Sequence, residues 1–449
     1  MIATRIPGPT GHPLIGSLRA LRRNILDTYQ RAHREYGDVV LFTAGPPGWR
    51  LKIHAVFSAE GAQRVLATES ANFRKDSRVY QVIRESFGDG LLTSQDETYL
   101  RQRRLVQPLF TRRQVNRYAD AICDEATAMI TRWRQQPDGV IDVVDEMVEL
   151  TLRVVSRVLF GTDIDAALPV VRRCFPTLSA YIDRRGRSPL RIPRKWPTPA
   201  NRRAHAARRA LYQICDEIVA RRREDFDRQE DLVGLLTRAV DSEGARLSAD
   251  EIRDQILIFL FAGHETTATT LAYGLHLLSG HPEVEEAAHK EVDQVLAGRL
   301  PTAEDLEALP YLTMVVKETM RLYPAAPLIG RRASADTTIG GYLIPAGSDV
   351  SLSPWVTHRH PEYWGQPERF DPLRFTPERE AERPRYAWFP FGGGPRACIG
   401  QHLSMLESVL TLAVILQAYR LQPLDPVGPV TVNITLRPLT PLRCRLIPR

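Results

Sequence analysis

The chain has 449 residues, of which 43% are hydrophobic, so it is long enough to bury a large core. Its 60 basic and 53 acidic residues leave a net charge of +7, but the two signs are interspersed, which argues against a nucleic-acid-binding protein. The five cysteines are odd in number and far apart, which argues against a disulfide framework or a zinc cluster and favours a reducing compartment.

No part of the sequence predicts a membrane span or a secretory leader. The stretch from Met1 to Leu21 is interrupted by prolines, glycines and arginines, so it lacks the apolar core of a signal peptide. The longest strongly apolar run, Ile256 to Gly263, is too short to cross a bilayer. We therefore expect a cytoplasmic protein with no transmembrane anchor. At roughly 150 residues per domain, the length alone suggests about three domains, a prior that can fail for folds with one large core. No low-complexity linker or repeat divides the chain, and we expect one domain over residues 1–449.

The first predicted elements mix helix and strand. In order they are a helix over Asn24 to Tyr36, a hairpin of Val39 to Thr43 and Leu51 to Phe57, and a short helix from Ser58 to Leu66. Residues 71–95 lack a clean period but carry several apolar side chains. An apolar irregular segment of that length is typical of a binding loop, so we predict one there.

The centre of the chain is predicted to be helical and its end to contain short strands. The helical pattern runs from Asp96 to Val295 and is broken mainly at Gly186 to Pro199, where four prolines and several arginines indicate a loop. A helix over Tyr311 to Leu322 follows, and strands are predicted within Thr337 to Leu352 and Arg420 to Leu446. The fold class is therefore mainly α with a smaller β portion.

The longest predicted helix opens at Ser248 and stops at Gly280. Ser248 is a capping residue, and Glu251 occupies the capping-box position three residues later. About thirty residues at ~1.5 Å each span roughly 45 Å, which is enough to cross a large domain. Ile256 to Phe261 is apolar nearly all round, so we expect this helix to be buried.

The middle of this helix carries the run Ala262-Gly263-His264-Glu265-Thr266-Thr267. Ala262 and Gly263 remove bulk from one face, which allows a flat group to approach. An acid and an alcohol at Glu265 and Thr266 are costly to bury without purpose, and together they can relay protons or hold dioxygen. The alternative is a helix–helix contact at Gly263 with a hydrogen-bonded, buried Glu265. The run alone does not separate the two interpretations.

A glycine-rich loop from Phe389 to Gly400 presents Cys398 just before a helical pattern at Gln401 to Leu416. A thiolate there gains from the helix N-terminus and from nearby Arg396, and the glycines let the backbone approach a flat partner. These are the parts needed to hold a thiolate as an axial ligand of haem iron. A small core cysteine explains the loop alone equally well. A dinucleotide loop or a cysteine protease fits less well, because the expected glycines, strand and signature are missing.

Glu318 and Arg321 lie three residues apart on one predicted helical face. The simpler interpretation is a surface ion pair, which contributes only about 0.2–0.5 kcal/mol. Arg369 lies within Pro367-Glu368-Arg369-Phe370, between that helix and the cysteine loop. A second arginine at this place can complete a buried charge network.

Taken in order, these motifs make the chain resemble the cytochrome P-450 superfamily of haem-thiolate monooxygenases. The loop Phe391-Gly392-x-Gly394-x-Arg396-x-Cys398-x-Gly400 is similar to that family's cysteine signature at every fixed position. The run at Ala262 to Thr267 resembles its oxygen-activating helix, and Glu318-x-x-Arg321 with Arg369 resembles its structural triad. The resemblance covers essentially the full length and implies the cytochrome P-450 fold.

The resemblance also implies a role for each matching position. Cys398 would be the thiolate ligand of haem b, Thr266 and Glu265 would manage proton delivery, and Glu318, Arg321 and Arg369 would hold the haem-binding core. The other positions implied to contact the cofactor are Tyr99, Arg103, Ala262, Arg331, Phe391, Arg396 and Gly400. Tyr99 departs from the family pattern, which commonly has tryptophan or histidine at that place.

The implied reaction is reductive activation of O2, with one oxygen atom inserted into a C–H bond of a lipophilic molecule. Electrons would come from a separate ferredoxin and an NAD(P)H-dependent ferredoxin reductase, since the chain ends soon after its β segment, and we expect a monomer. The composition and the absent anchor resemble bacterial members. Arginines near residue 101 are candidates for a basic face toward an acidic electron donor, although a solvated surface explains each of them as well.

Substrate contacts are expected from apolar side chains far from the cysteine loop. They are Val79, Tyr80, Val82, Ile83, Phe87, Phe259, Leu328 and Ile329. Their character favours a terpenoid or another secondary metabolite, with a fatty acid as the alternative. A peroxide-driven peroxygenase and a non-enzymatic haem sensor share the same fold, and the acid–alcohol pair at Glu265 and Thr266 argues against both.

Overall fold

The computed structural model describes residues 5–136, 138–161, 164–224, 231–238 and 246–449, and for residues 222–224 the backbone alone. Helix accounts for 56% and strand for 12%, which confirms a mainly α chain with a smaller β part. The α-helices are α1 (Leu18–Arg23), α2 (Ile25–Tyr36), α3 (Ala59–Gln63), α4 (Arg78–Phe87), α5 (Asp96–Val106), α6 (Arg112–Asn116), α7 (Ala119–Trp133), α8 (Val143–Phe160), α9 (Leu168–Gly186), α10 (Pro199–Glu224), α11 (Leu232–Arg238), α12 (Ala249–Ser279), α13 (Pro282–Leu296), α14 (Asp305–Ala308), α15 (Pro310–Leu322), α16 (Pro354–Thr357), α17 (Pro377–Ala381) and α18 (Gln401–Ala418).

The strands lie mainly at the two ends of the chain. They are β1 (Val39–Ala44), β2 (Leu51–Val56), β3 (Phe73–Arg74), β4 (Val140–Asp142), β5 (Ile329–Ala333), β6 (Thr337–Ile339), β7 (Tyr342–Ile344), β8 (Asp349–Leu352), β9 (Tyr419–Pro423), β10 (Val430–Val432), β11 (Leu436–Pro438) and β12 (Arg443–Pro448). One sheet has the order β1-β2-β8-β5-β3, in which only β2 and β8 are parallel. The others are β4-β12-β9, β10-β11 and β6-β7.

Helix α12 runs through the middle of the helical part. Its predicted capping box is present: the N–H of Glu251 donates to Ser248 Oγ at 3.2 Å, and the N–H of Ser248 donates to the Glu251 carboxylate at 2.9 Å. From Ile256 to Phe261 every side chain is buried, as the apolar run predicts. The long helix therefore forms the spine against which the other helices pack.

Gly263 serves the contact between α12 and α8. A methyl group at this position would lie 2.7 Å from the Cγ2 atom of Val155, which is too close for the two helices to keep their separation. One residue on, Thr151 Oγ1 of α8 donates to the carbonyl of His264 at 3.0 Å. The helix–helix interpretation therefore holds for Gly263, and only Ala262 of the two small residues faces open space.

The prediction of an irregular loop over residues 71–95 is wrong for the middle of the segment. Strand β3 and the ten-residue helix α4 lie within it. Val79, Val82, Ile83 and Phe87 follow the i, i+3, i+4 spacing of one helix face, and polar Arg84 and Glu85 occupy the other. Arg84 then donates to the carbonyl of Thr93 at 2.6 Å, which holds the segment after α4 against the helix.

The loop predicted at Gly186 to Pro199 separates α9 from α10, as expected. Within the described ranges, none of the helices combines the length and the apolarity that a bilayer span requires. The short strands predicted between Arg420 and Leu446 are present as β9 to β12.

Candidate active site

The cysteine loop is folded by its glycines and held by backbone hydrogen bonds. Gly392 and Gly394 have φ of 69° and 62°, and a methyl group on Gly394 would lie 1.9 Å from the carbonyl oxygen of Leu66. The N–H of Cys398 donates to the carbonyl of Phe391 at 2.9 Å, and α18 begins three residues beyond the cysteine. The thiol therefore lies at the N-terminal end of a buried helix, where negative charge is favoured.

Cys398 is accessible to solvent, yet protein atoms surround its sulfur. This combination fits a residue on an internal space, here called the cleft, better than one in the packed core. Burial raises the pKa of the Cys398 thiol, while a hydrogen bond from the backbone at Gly400 and the charges of Lys75 and Arg103 lower it. The surroundings thus supply part of the stabilisation that a thiolate ligand requires.

Four cationic side chains lie close to the cysteine and to one another. They are Lys75, Arg103, Arg331 and Arg396. Lys75 and Arg331 are buried, and burial together with the neighbouring cations lowers the pKa of Lys75 well below its ordinary value. Burial likewise lowers the pKa of Arg396 to about 10. Within the described part of the chain, no carboxylate forms an ion pair with any of the four, so an anionic ligand can balance their charge.

Tyr99 supports the cysteine loop from α5. Its hydroxyl donates to the carbonyl of Pro395 at 2.7 Å, and the Arg396 guanidinium stacks on its ring at 3.5 Å from the centroid. Arg103, one turn along α5, donates to the carbonyl of Ala397 at 3.1 Å. Tyr99 therefore positions Arg396 and the loop, whereas Arg103 both holds the loop and adds charge to the cleft.

A fully buried ion pair anchors the segment before the cysteine loop. Arg321 donates to both carboxylate oxygens of Glu318, at 2.6 and 2.8 Å, and to three backbone carbonyls on the following segment. The sequence assigned Arg369 as the third member of this charge network, and that assignment is wrong. The Arg369 side chain is exposed, and only its backbone carbonyl joins the network. Arg374 takes this place instead, with its Nε atom 3.4 Å from Glu318 Oε1.

His358 connects this network to the cysteine loop. Its Nε2 atom accepts the N–H of Phe389 at 2.9 Å, and its carbonyl accepts from Arg321 at 2.9 Å. Burial, together with the charges of Arg321 and Arg359, lowers the pKa of His358 to about 3. The imidazole is therefore neutral and keeps the acceptor that the loop needs.

The acid and the alcohol of α12 point to different surroundings. Thr266 lines the cavity beside Ala262, and its hydroxyl donates to the Ala262 carbonyl at 2.8 Å. Glu265 is buried on another face of the helix, where one carboxylate oxygen pairs with Arg437 of β11. Thr267 faces α18, with its hydroxyl 3.2 Å from the hydroxyl of Ser404. The residues predicted to act together are thus adjacent in the chain but separated in direction.

A largely apolar cavity of about 260 Å³ opens beside Thr266. Five of the predicted substrate contacts line it: Val79, Tyr80, Ile83, Leu328 and Ile329. Phe87, Phe259 and Val82 do not. Phe87 stacks on Phe261 at 4.8 Å between ring centroids, and Phe259 stacks on Phe110 at 5.5 Å, beside Gly400. These aromatic side chains belong to the core of the helical part.

The cytochrome P450 family model matches residues 6–443. The chain belongs to the cytochrome P450 family. Cyclooctat-9-en-7-ol 5-monooxygenase of Streptomyces melanosporofaciens is 39% identical over 92% of this chain and 89% of that protein. Pentalenene oxygenase of Streptomyces avermitilis is 33% identical over 100% of this chain and 98% of that protein. The crystal structure of the cytochrome P450DA heme domain superposes with a TM-score of 0.88 at 29% identity, covering 100% and 99% of the two chains.

Membership settles the class of the cofactor and the reaction. This P450 is a monooxygenase with haem b ligated by a cysteine thiolate, and it acts with O2, an organic substrate and redox partners. The residues present fit that group. Cys398 offers the soft ligand, and the four cations without acids match the two propionates of a haem. Ala262 contributes a small side chain to the wall of the apolar cavity.

Some residues of this P450 site were not predicted from sequence. Lys75 carried one available signal, since it is one of only five lysines in a chain rich in arginine. Phe261 and the turn from Val432 to Thr435 line the cavity, but no local pattern marks them. Arg374 precedes a phenylalanine as Arg369 does, so the sequence alone offers two equivalent candidates.

A separate cluster of His33, Asp38 and His360 lies away from the cleft and joins α2 to the segment after α16. Both Nε2 atoms approach Asp38 Oδ1, at 3.2 and 3.0 Å. His360 Nδ1 accepts the N–H of Glu362, so its proton lies on Nε2 and is donated to Asp38. In this tautomer, hydrogen bonds to Asp38 tie α2 to the segment after α16. Hydrogen bonds from the two histidines also lower the pKa of the Asp38 carboxyl.

Proposed function

We propose that this P450 oxidises a terpenoid, with hydroxylation of a C–H bond as the basic reaction. The balanced overall reaction is RH + O2 + NAD(P)H + H⁺ → ROH + H2O + NAD(P)⁺. The observation that carries the proposal is the largely apolar cavity that Ala262 and Thr266 line. A substrate held there can present a C–H bond toward the cofactor.

The cavity wall supports a lipophilic, uncharged substrate. Around Ala262 and Thr266 the wall consists of apolar side chains from α4, α12 and β5, with the Tyr80 ring among them. The charged residues of the lining include Arg22, Arg78 and Arg187, and Arg187 pairs with Asp183 at 2.6 Å. Most of the lining is nevertheless apolar, which favours an uncharged terpenoid over a fatty acid.

The names of the relatives support the same substrate class. Cyclooctat-9-en-7-ol 5-monooxygenase, cyclooctatin synthase and pentalenene oxygenase are terpenoid-modifying enzymes. Cyclooctatin synthase, also from Streptomyces melanosporofaciens, is 36% identical over 93% of this chain. We infer a polycyclic or medium-ring terpenoid, and a ligand screen can identify its carbon skeleton.

Each side chain of the proposed site has a physical task. Haem b with a thiolate ligand supplies O2 activation, and electron donation by the thiolate favours O–O cleavage. Cys398 presents that ligand, Phe391 shields it from water, and Gly400 leaves space beside the sulfur. Lys75, Arg103, Arg331 and Arg396 would bind the propionates. Thr266 holds a hydroxyl at the cavity wall, where it donates or passes a proton, and Glu265 supplies the acid behind it.

The remaining parts of the proposal concern the cellular setting. We propose that electrons come from a ferredoxin and an NAD(P)H-dependent ferredoxin reductase, and that the chain works as a monomeric, single haem-binding domain in the cytoplasm. The arginines on and after α5, including Arg104 and Arg112, give an acidic ferredoxin a surface of opposite charge. Reconstitution with several purified ferredoxins and measurement of the salt dependence of reduction test this arrangement.

The central experiment is a ligand screen followed by turnover. Purified holoprotein is titrated with terpene hydrocarbons, terpene alcohols and fatty acids, and the change in haem spin state is recorded. Hits are incubated with NADPH, ferredoxin and reductase under ¹⁸O2. We expect terpenes to bind and to gain one ¹⁸O atom per product molecule. Spin-state changes confined to fatty acids, or label absent from the product, would contradict the proposal.

A peroxygenase is the second candidate that the same experiment addresses. Omission of NADPH and addition of hydrogen peroxide is the matched control. We expect little product under those conditions, because the site keeps the acid and alcohol of an O2-dependent enzyme. Equal product with peroxide alone would replace the proposed function.

A further inference from the structure

Arg437 holds the buried acid of α12 from outside that helix. Glu265 is 2% exposed, and one of its carboxylate oxygens pairs with the Nη2 atom of Arg437. The other oxygen, Oε2, is buried without a hydrogen-bond partner. A buried carboxylate that is only half satisfied depends strongly on its one cation. The orientation of Glu265 is therefore controlled by a residue of β11.

The same hairpin that carries Arg437 forms part of the cavity wall. β10 and β11 pair antiparallel, with Thr431 opposite Arg437, and the residues from Val432 to Thr435 line the cavity. The hairpin also contacts Arg187, another residue of the cavity lining, which donates to the carbonyl of Val432 at 3.4 Å. A substrate that packs against the turn therefore presses on the element that holds Glu265.

The hairpin is fastened to α12 and to the segment before β5. Thr269 donates to the carbonyl of Leu436 at 3.3 Å, and the N–H of Leu436 donates to the carbonyl of Ala325 at 2.9 Å. These contacts lie directly beside Arg437 in the chain, so a shift of the turn reaches the guanidinium through one short strand. The Arg437 side chain is 28% exposed, so water is available to it if the pair opens.

We propose that Arg437 is a positioning residue that couples occupancy of the cavity to proton delivery by Glu265. Without substrate, Arg437 holds the carboxylate away from Thr266. When substrate displaces the turn between β10 and β11, the pair loosens and Glu265 can turn toward the cavity side of α12. Arg437 itself transfers no proton; the protons are those of the overall reaction. This inference rests on the proposed function, because it assigns Glu265 the role of acid.

The first test measures product formed per NADPH consumed, with the terpene that gives the largest spin-state change. We expect Arg437→Ala to lower this ratio by about tenfold, because a misplaced Glu265 loses part of the rate gain that a well-positioned proton donor provides. The KM for the terpene should change little. Arg437→Lys should restore most of it, because the cation is kept. In a Glu265→Gln background, Arg437→Ala should add less than about a twofold loss, as expected for residues acting as one unit. Arg443→Ala is the matched control. Arg443 is an exposed arginine of β12 that pairs with Asp425.

The second test needs no turnover. Thermal unfolding of the holoproteins gives the shifts for Arg437→Ala, Glu265→Gln and the double variant. We expect strongly non-additive shifts without ligand and nearly additive shifts with the terpene bound. Additive shifts without ligand, or an unchanged product ratio in Arg437→Ala, would overturn the inference. If no terpene binds at all, the proposed function fails, and the ligand-free cycle still decides whether Arg437 holds Glu265.

Discussion

On the cysteine side of the cleft, polar groups converge on one short loop. Side chains of Tyr99, Arg103 and His358 hold its backbone, and the Glu318–Arg321 pair fixes the segment before it. On the substrate side, apolar side chains from many separate segments of the chain meet around a cavity. The first arrangement specifies the cofactor and keeps it in place, whereas the second can change shape with its ligand. The polar contacts around the cysteine loop thus determine the class of reaction, whereas the packing of apolar side chains around the cavity determines which substrate binds.

The strongest test of the rigid side removes its ligand. Cys398→Ala should abolish the red-shifted Soret band of the reduced, CO-treated protein and all NADPH-dependent product, because no other described side chain lies where the sulfur does. Absorbance spectra of freshly loaded protein measure the first effect. A variant that keeps the band would show that another group ligates the iron.

The buried ion pair should be the next most sensitive point. Arg321→Ala leaves Glu318 buried without its main partner, so we expect a loss of about 3–5 kcal/mol in the free energy of unfolding and poor haem retention. Arg374→Ala should cost roughly 1–3 kcal/mol, since it removes one charge-assisted contact. Denaturant unfolding of the holoproteins gives these values.

Arg369→Ala is the matched control for that series. The Arg369 side chain is exposed and contributes only its backbone carbonyl to the network, so the change should stay within about 0.5 kcal/mol. A larger loss for Arg369→Ala than for Arg374→Ala would restore the assignment made from sequence.

The alcohol at the cavity wall lies between the two regions and should affect chemistry more than stability. Thr266→Ala should lower product per NADPH by about tenfold while substrate still binds, because a proton-donating hydroxyl is removed. Thr267→Ala changes the neighbouring hydroxyl, which faces Ser404, and serves as the control. Equal losses from both variants would mean that the effect is one of helix packing.

Substitutions in the cavity wall should have the smallest effects, and these effects should differ between substrates. Ile83→Ala enlarges the cavity and should change the relative kcat/KM of two terpenes of different size by about tenfold, with little effect on haem spectra. Phe87→Ala, one turn along α4, should instead lower stability by about 3–5 kcal/mol, because this ring lies in the core. Competition between paired substrates and thermal unfolding separate the two outcomes.

The sequence predicted the long helices better than the cavity, for a physical reason. Helix α12, its capping box and the helix after Cys398 follow from local periodicity and caps, and the structure has all three. The cavity, in contrast, forms where segments distant in the chain meet, so the turn at Val432 to Thr435 carries no local signal. Helix α4 is harder to predict, because the short apolar stripe of ten residues resembles the irregular pattern of a loop.

Within the site, residue type was predicted more easily than residue direction. The pairing of Glu318 with Arg321 follows from helical spacing, but the choice between Arg369 and Arg374 depends on how a loop without periodicity folds back. Likewise, Glu265 and Thr266 are adjacent in sequence, yet successive residues of a helix point about 100° apart. Only the packed structure shows that one faces the cavity and the other faces β11.

The four cations near Cys398 have a consequence for how the protein matures in the cell. Before haem enters, Lys75, Arg103, Arg331 and Arg396 repel one another across the cleft, and two of them are buried. The cofactor therefore acts as a folding partner whose supply sets how much chain reaches the compact state. Cells that make this protein faster than they make haem should accumulate an open, protease-sensitive form, and haem availability should limit its abundance before its catalytic rate.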